Sequence, residues 1–234
     1  MRRPEEPEAW PIAAGAEILQ DVSRITSPVE GYLRRYRHRV KTVFTDGSRS
    51  EAYVVDYVDR APDKRDAAGF VLFARGPRDP VGATRILLRR QMRYAVYVAA
   101  QRPLTTEVFA GLIEGGETPE ACVERETWEE AGVRIDRGEA IRLGRPFFPV
   151  PGLFTERIFP LAVQITPGAL EDALLDPPPG DGSPFEDGSV LLSLTLDEAF
   201  ELMEAPEPTR PDELTLDDAK TELILARLWR HLEK

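Results

Sequence analysis

The chain has 234 residues and a formal net charge of −11, with 41 acidic against 30 basic side chains. Because nucleic acids attract basic surfaces, this balance argues against nucleic-acid binding. A single cysteine excludes an intrachain disulfide and favours a reducing compartment, so we expect a cytoplasmic protein. No run approaches the roughly 18 apolar residues of a membrane-spanning helix, and no membrane partner is expected.

The first part of the chain predicts a small sheet ahead of a larger domain. Residues 1–30 are rich in proline, glutamate and alanine, and we expect a loosely ordered lead-in there. Residues 31–62 contain two β-prone runs, YLRRYRHRVKTVF and EAYVVDYV, separated by the turn signal Asp46-Gly47. They predict an N-terminal antiparallel sheet, which leaves residues 63–234 for the main domain. The first run contains four arginines that form either a solvated strand face or a contact surface for phosphate or a second subunit: Arg34, Arg35, Arg37 and Arg39.

The main domain is expected to open with strands. GFVLFAR and TRILLRRQMR are apolar runs joined by a loop around Asp79-Pro80, and QRPLTTEVFA leads into the next segment. Further along the chain, EAIRLGRPFF and SVLLSL also predict strands. Alternation of these runs with helical segments indicates a sheet packed against helices.

The stretch GLIEGGETPEACVERETWEEAGV, from Gly111 to Val133, predicts a loop followed by a helix. Thr118 is suited to the N-cap, Pro119 to the first helical position and Gly132 to a left-handed C-terminal cap. The glycines ahead of the helix permit tight turns and a close approach of the backbone to a ligand.

Glu126, Glu129 and Glu130 stand at positions i, i+3 and i+4 of this helix, so their carboxylates share one face. Like charges in that arrangement repel one another and weaken the helix unless something compensates. A solvated acidic face is one reading of such a charge run. The glycine-rich loop favours the other, a divalent cation site, because Mg²⁺ binds carboxylate oxygens together with substrate phosphates.

The spacing resembles the Nudix box, whose charged and glycine positions are all filled here: Gly111, Glu117, Arg125-Glu126, Glu129-Glu130 and Gly132. One position departs from the pattern, since Thr127 stands where the family usually has an aliphatic residue or alanine. The resemblance implies an α/β (α+β) fold, the Nudix α/β/α sandwich with a mixed sheet between helices. The small N-terminal sheet would precede it.

The same resemblance implies a metal site. Relatives use the box glutamates and the backbone carbonyl just before the first glycine, which correspond here to Glu126, Glu129, Glu130 and Ala110. The expected ion is Mg²⁺, with Mn²⁺ as the alternative. Arg125 and Glu117 are expected to orient the metal-binding carboxylates without touching substrate.

Two further stretches resemble the ADP-ribose pyrophosphatase and nucleoside-diphosphate-sugar hydrolase group. Gln91-Met92-Arg93 matches a strand whose arginine reaches substrate, so Arg93 is either a phosphate contact or a surface ion pair. Glu107 is a candidate substrate or structural contact. In PVPGLFTERIFPLAV, residues 149–163, Gly152 is a candidate substrate contact of the proline-glycine loop. Glu156 matches an acidic residue that helps to activate water in relatives, or else simply starts a strand.

The last part of the chain predicts a variable excursion and two helices. Residues 176–188 are rich in proline, glycine and aspartate and predict a flexible surface segment. Thr195 begins a capping box and a helix that ends at Met203. A second capping signal opens the last helix, whose core-facing stripe is expected to hold Leu216, Leu223 and Ala226.

The reaction that the resemblance implies is hydrolysis of a pyrophosphate bond in a nucleoside diphosphate linked to another moiety. ADP-ribose would give AMP and ribose 5-phosphate, with Glu129, Glu130 and Glu156 as the catalytic carboxylates. Another nucleotide sugar, such as GDP-mannose, is an alternative, and oxidised nucleoside triphosphates are a further one. A nucleotide-binding sensor without turnover is the alternative outside catalysis. A homodimer is expected through the N-terminal sheet.

Overall fold

The computed structural model describes residues 33–60, 66–178 and 188–234. The expected lead-in at 1–30 lies outside these ranges, as does most of the expected excursion at 176–188. The strands are β1 (Arg34–Val40), β2 (Tyr53–Asp59), β3 (Ala67–Ala74), β4 (Arg85–Met92), β5 (Leu104–Glu107), β6 (Phe109–Leu112), β7 (Ala140–Arg142), β8 (Ile158–Gln164) and β9 (Val190–Thr195). The α-helices are α1 (Tyr94–Ala100), α2 (Pro119–Ala131), α3 (Pro167–Leu175), α4 (Leu196–Glu204) and α5 (Ala219–Leu232). Within the described ranges, no helix has both the length and the apolar character to cross a membrane.

Strands β1 and β2 form an antiparallel sheet of their own, in which Arg37 stands opposite Asp56. The intervening segment contains the predicted Asp46-Gly47 turn, and the positive φ of 83° at Gly47 suits glycine. The Asp46 carboxylate accepts a hydrogen bond from the Ser48 backbone N–H at 2.9 Å, which closes the turn. The predicted N-terminal antiparallel sheet is therefore confirmed.

The second sheet has seven strands and is mixed. Its order is β5-β4-β3-β8-β7, with β6 also paired to β3 and β9 also paired to β4. The β3–β8 pair is parallel, while β3–β4 and β7–β8 are antiparallel. Every residue of β3 is buried, because this central strand is covered on both faces, which explains its unbroken small and apolar run.

Alternating side chains of β3 pack against helices on opposite faces of the sheet. Phe70 and Leu72 share one apolar cluster with residues of α2 and α3. Val71 and Phe73 share a second cluster with buried residues of α4 and α5, namely Leu196, Ala199, Ile224, Leu225 and Leu228. Helices thus cover both faces, and the expected α/β/α sandwich around a mixed sheet is confirmed.

The last helix differs from its prediction in the face that it buries. Helix α5 buries Ile224, Leu225 and Leu228, whereas Leu223 and Ala226 are only partly buried. Leu216, ahead of this helix, is buried as expected. Four consecutive apolar residues at 223–226 do not single out one helical face, so the packing partner decides which of them point inwards.

Candidate functional site

The glycine-rich stretch forms helix α2 with the predicted ends. The Thr118 hydroxyl accepts a hydrogen bond from the Ala121 backbone N–H at 3.2 Å, and Pro119 occupies the first turn. Gly132 ends the helix with a φ of 67°, and its N–H donates to the Trp128 carbonyl at 3.0 Å. Strand β6 and helix α2 therefore hold the loop between them at both ends.

Glu126 lies directly against the backbone at Gly111. A Cβ atom added to Gly111 would stand 2.0 Å from Oε1 of Glu126 and 2.1 Å from its carboxyl carbon. Only a glycine leaves this space between strand β6 and the carboxylate. Glu126 is therefore fixed beside the Ala110–Gly111 backbone, with 13% of its side chain exposed.

Arg125 connects three carboxylates of the box. Its Nη1 donates to Glu126 Oε1 at 2.6 Å and to Glu129 Oε2 at 3.1 Å, and its Nη2 donates to Glu117 Oε2 at 3.2 Å. A further bond of 3.1 Å runs from Nη2 to the Leu112 carbonyl. Burial opposes the charge of Arg125, but the hydrogen bonds with Glu117 and Glu126 outweigh burial and raise its pKa. These contacts support the orienting role predicted for Arg125 and Glu117.

Glu130 is bound by an arginine that the sequence analysis did not single out. Arg89, on β4, donates from Nη1 to Glu130 Oε1 at 2.9 Å and from Nη2 to Ser189 Oγ at 3.0 Å. The Arg89 side chain is buried, and 11% of the Glu130 side chain is exposed. The available signal was a charged residue inside the apolar run RILLRRQM, because a buried charge requires a partner.

The box thus places four carboxylates around two arginines. Across the described ranges, no three His, Cys, Asp or Glu side chains are gathered tightly enough to hold a metal ion by themselves. An open set of oxygen donors nevertheless fits Mg²⁺, which takes few protein ligands and completes its shell with water and phosphate. Glu126, held against Gly111 beside Ala110, supplies one fixed donor of this kind.

Arg93 and Glu107, two predicted substrate contacts, are bound to each other. Nε and Nη2 of Arg93 donate to the two carboxylate oxygens of Glu107 at 2.5 and 2.9 Å. Lys220 Nζ lies 3.4 Å from Glu107 Oε2. Burial lowers the pKa of Arg93, but the hydrogen bond with Glu107 and the charges of Asp218 and Glu130 outweigh burial, so the pKa is raised. Arg93 therefore interacts with the charge of a box glutamate as well as with its own partner.

An open groove of about 570 Å³ lies beside this pair. Helix α1, strand β5 and the start of α5 form its walls, with Arg93, Ala95, Arg102 and Asp217 among the lining residues. The Arg93 side chain is 45% exposed, although Glu107 binds its Nε and Nη2. The groove falls in the size range of small-molecule sites.

The loop that carries Gly152 and Glu156 packs against the N-terminal sheet. Gly152 is exposed, and a Cβ atom added there would meet nothing within 4 Å. Glu156 is buried, with 7% of the residue exposed, and its Oε1 accepts a hydrogen bond from Nη1 of Arg60. The structure therefore places Glu156 in an ion pair with the residue that follows β2, a partner that the sequence did not indicate.

The chain is similar to several known proteins. The ADP-ribose pyrophosphatase of Escherichia coli (strain K12) is 31% identical over 156 residues, which are 65% of this chain. The aligned stretch is 66% of that relative, just under two thirds of its length. The GDP-mannose pyrophosphatase of Cronobacter sakazakii (strain ATCC BAA-894) is 25% identical over 191 residues, which cover 81% of this chain and 86% of the relative.

A solved structure described as an ADP compounds hydrolase shares the fold, with a TM-score of 0.53 and 14% identity. The superposition covers 84% of this chain and 85% of that one. The NUDIX domain family model matches residues 63–215, more than half of the chain. The family predicted from the box is therefore confirmed, and the chain belongs to the NUDIX family.

Proposed function

We propose that the chain hydrolyses the pyrophosphate bond of nucleoside diphosphates linked to another moiety, with ADP-ribose as the substrate. AMP and ribose 5-phosphate are then the products. The observation that carries the proposal is the Glu126 carboxylate packed on Gly111, with Arg125 joining it to Glu117 and Glu129. Carboxylates held in this way are suited to bind a cation at a defined point, whereas a solvated acidic face needs no such support. The relatives named as ADP-ribose pyrophosphatases support the choice of substrate.

The proposed cofactor is Mg²⁺, or Mn²⁺ in its place, held by Glu126, Glu129, Glu130 and the carbonyl of Ala110. When bound, the ion neutralises the diphosphate and holds the attacking water. Among the three glutamates, Glu129 has the most exposed side chain, 38%, and is therefore the most accessible from solvent. Arg125 keeps Glu126 and Glu129 in a common orientation.

Hydrolysis forms a bond between a water oxygen and one phosphorus, and it breaks a bond between phosphorus and the bridging oxygen. The proton of the water passes to a general base. Glu156 is the candidate outside the box, and Glu129 and Glu130 are the candidates within it. A carboxylate of this kind must stand within hydrogen-bonding reach of the water when substrate is bound.

Two of the proposed substrate contacts, Arg93 and Glu107, line the open groove. Arg93 is proposed to bind phosphate through its guanidinium while Nε and Nη2 keep their bonds to Glu107. Glu107 holds the guanidinium in a defined orientation before substrate arrives. Gly152, with open space around it, allows the loop backbone to approach the substrate closely.

A nucleotide sugar such as GDP-mannose is the second candidate substrate. The GDP-mannose pyrophosphatase relative favours it, because that alignment extends over more of this chain than the alignment with the ADP-ribose pyrophosphatase. The chemistry and the box residues are the same for both substrates. The enzyme is proposed to act as a homodimer in the cytoplasm.

The test is release of phosphate-containing products, in the presence of Mg²⁺, from ADP-ribose, GDP-mannose, UDP-glucose, diadenosine polyphosphates and NADH. Glu130→Gln is run in parallel. The proposal is supported if the wild-type chain hydrolyses ADP-ribose and Glu130→Gln does not. If GDP-mannose alone is hydrolysed, GDP-mannose replaces ADP-ribose as the assigned substrate. Nucleotide binding without hydrolysis of any member of the panel contradicts the proposed hydrolytic activity and favours a nucleotide sensor.

A further inference from the structure

The backbone of strand β2 is hydrogen-bonded to the loop that carries Glu156. The Val58 N–H donates to the Leu153 carbonyl at 2.8 Å, and the Thr155 N–H donates to the Val58 carbonyl at 3.4 Å. Val58 and Phe154 form an isolated parallel bridge at this point. The N-terminal sheet therefore extends, through main-chain bonds, onto a loop of the main domain.

Side chains reinforce this junction next to the predicted base. The Thr155 hydroxyl donates to Asp59 Oδ1, and Arg60 Nη1 donates to Glu156 Oε1. The Arg60 guanidinium also lies 5.1 Å from the centre of the Phe154 ring. Only 16% of the Arg60 side chain and 9% of the Glu156 side chain are exposed. Solvent and salt screen such a pair less than a surface pair, so it restricts both partners.

We propose that Arg60 is a positioning residue for the hydrolytic reaction. From the end of β2 it holds the Glu156 carboxylate by Oε1, so that Oε2 remains as the acceptor for the proton of the attacking water. This inference rests on the proposed function, in which Glu156 is the candidate base outside the box. Arg60 acts through Glu156 and does not touch the substrate.

The need for such a residue follows from where Glu156 is located. Loops hold side chains less precisely than helices and strands, and Glu156 stands two residues before β8 in a segment with no regular structure. A base must come within about 2.6–3.2 Å of the proton that it accepts. The Arg60–Glu156 ion pair and the hydrogen bonds to Val58 and Asp59 attach the loop to the N-terminal sheet. A loop without such contacts would not be held in this way.

A double-mutant cycle on ADP-ribose hydrolysis, at saturating Mg²⁺, tests the proposal with Arg60→Met, Glu156→Gln and the double variant. Arg60→Met is expected to lower kcat about ten- to a hundredfold, as a small misplacement of a reacting group does, with KM changed less than about threefold. In the Glu156→Gln background, Arg60→Met is expected to change kcat less than about twofold. The reason is that the two substitutions disable the same function, proton acceptance by the positioned Glu156 carboxylate. Arg60→Lys keeps the charge and is expected to retain more kcat than Arg60→Met.

The matched control is Arg85→Met, since Arg85 forms an exposed ion pair with Glu171 at 3.4 Å on another part of the sheet. Its kcat is expected to stay within about twofold of wild type, as for most exposed sites. Hydrogen–deuterium exchange of the peptide 150–157 supplies a readout that does not depend on turnover. Exchange is expected to be faster in Arg60→Met and unchanged in Arg85→Met.

Wild-type kcat in Arg60→Met, or losses that multiply in the double variant, overturn the positioning role. If the wild-type chain hydrolyses no member of the substrate panel, the proposed function fails independently of the Arg60 contact. Hydrogen–deuterium exchange then decides whether Arg60 holds the loop. Unchanged exchange at 150–157 overturns that contact, and faster exchange supports it. If Arg60→Met does not fold, because it leaves a buried carboxylate without its cation, Arg60→Lys enters the same cycle.

Discussion

A single hydrogen atom at Gly111 leaves the space that the Glu126 carboxylate occupies. Packing against the backbone fixes the carboxylate in one direction, and the 2.6 Å bond from Arg125 fixes it in a second. Metal-assisted phosphoryl transfer requires this precision, since positioning and charge neutralisation supply most of its rate.

Gly111→Ala is therefore expected to displace Glu126, to lower kcat on ADP-ribose by about a hundredfold or more, and to raise the Mg²⁺ concentration that gives half-maximal rate. Steady-state rates across a magnesium titration measure both effects. Gly138→Ala is the control, because a Cβ atom there would meet nothing within 4 Å and the residue lies outside the box. Equal loss in both variants would show that the cost is general and not a displacement of Glu126.

Cys122 predicts a dependence of stability on pH. Burial, with a further contribution from the Glu126 charge, raises the pKa of its thiol to about 12 from an ordinary value of 9.0. Between these values the unfolded state binds fewer protons than the folded state, so the free energy of unfolding falls as pH rises. The difference in unfolding free energy between wild type and Cys122→Ala is therefore expected to shrink by about 1 kcal/mol from about pH 8 to about pH 10. Denaturant unfolding measures it, and a difference independent of pH contradicts the raised pKa.

At the scale of elements, helix α2 was predictable and its long-range partners were not. Its N-cap, its proline and its C-terminal glycine act within a few residues of the helix ends, so local sequence is sufficient to specify them. The Arg60–Glu156 and Arg89–Glu130 pairs join residues 96 and 41 positions apart. Such contacts depend on how β2 and β4 pack against the box and its neighbouring loop, which local pattern does not specify.

For a related reason, the sequence pattern does not determine which face of α5 is buried. Its run of consecutive apolar residues satisfies several helical stripes equally well. Glu126, by contrast, can be identified from sequence spacing. It belongs to a helix with a fixed spacing of glutamates, and Gly111, which it contacts, is a glycine of the same motif. The sequence thus located the box carboxylates, while the arginines that hold Glu130 and Glu156 required the packed structure.

Helix α2 also contains the position that departs from the family pattern. Thr127 is fully buried, and its Oγ1 has no hydrogen-bond partner among the residues described in the structure. A buried hydroxyl without a partner costs free energy, so Thr127→Val is expected to raise the free energy of unfolding by about 1 kcal/mol. Urea denaturation measures the change, with Thr118→Ala as the opposite case, because loss of an N-cap is expected to lower stability by about 1 kcal/mol. Destabilisation by Thr127→Val would show that the hydroxyl is bonded.

At the scale of the molecule, exposed apolar side chains concentrate at the N-terminal sheet. Of the twelve exposed large apolar residues in the described ranges, five lie between residues 33 and 54: Leu33, Val43, Phe44, Tyr53 and Val54. Three more lie in the loop that packs against this sheet: Phe148, Val150 and Leu153. Concentrated apolar surface marks interaction sites, and a second chain can cover the edge of a small sheet.

A homodimer through this sheet is the expected assembly, with a mass twice that of one chain by size-exclusion chromatography and light scattering. Val43→Lys combined with Val54→Lys is expected to yield the monomer, because the new charges lose hydration on association. Leu175→Lys is the control, since Leu175 is 83% exposed but lies at the end of α3. A wild-type monomer at micromolar concentration contradicts the assembly.

The most direct test of the account is product analysis after incubation of the chain with ADP-ribose and Mg²⁺, with and without EDTA, alongside Glu126→Gln. We expect equal amounts of AMP and ribose 5-phosphate, no product in EDTA, and a rate at least about a hundredfold lower in the variant. Intact ADP-ribose, or hydrolysis that is insensitive both to EDTA and to loss of Glu126, would contradict it.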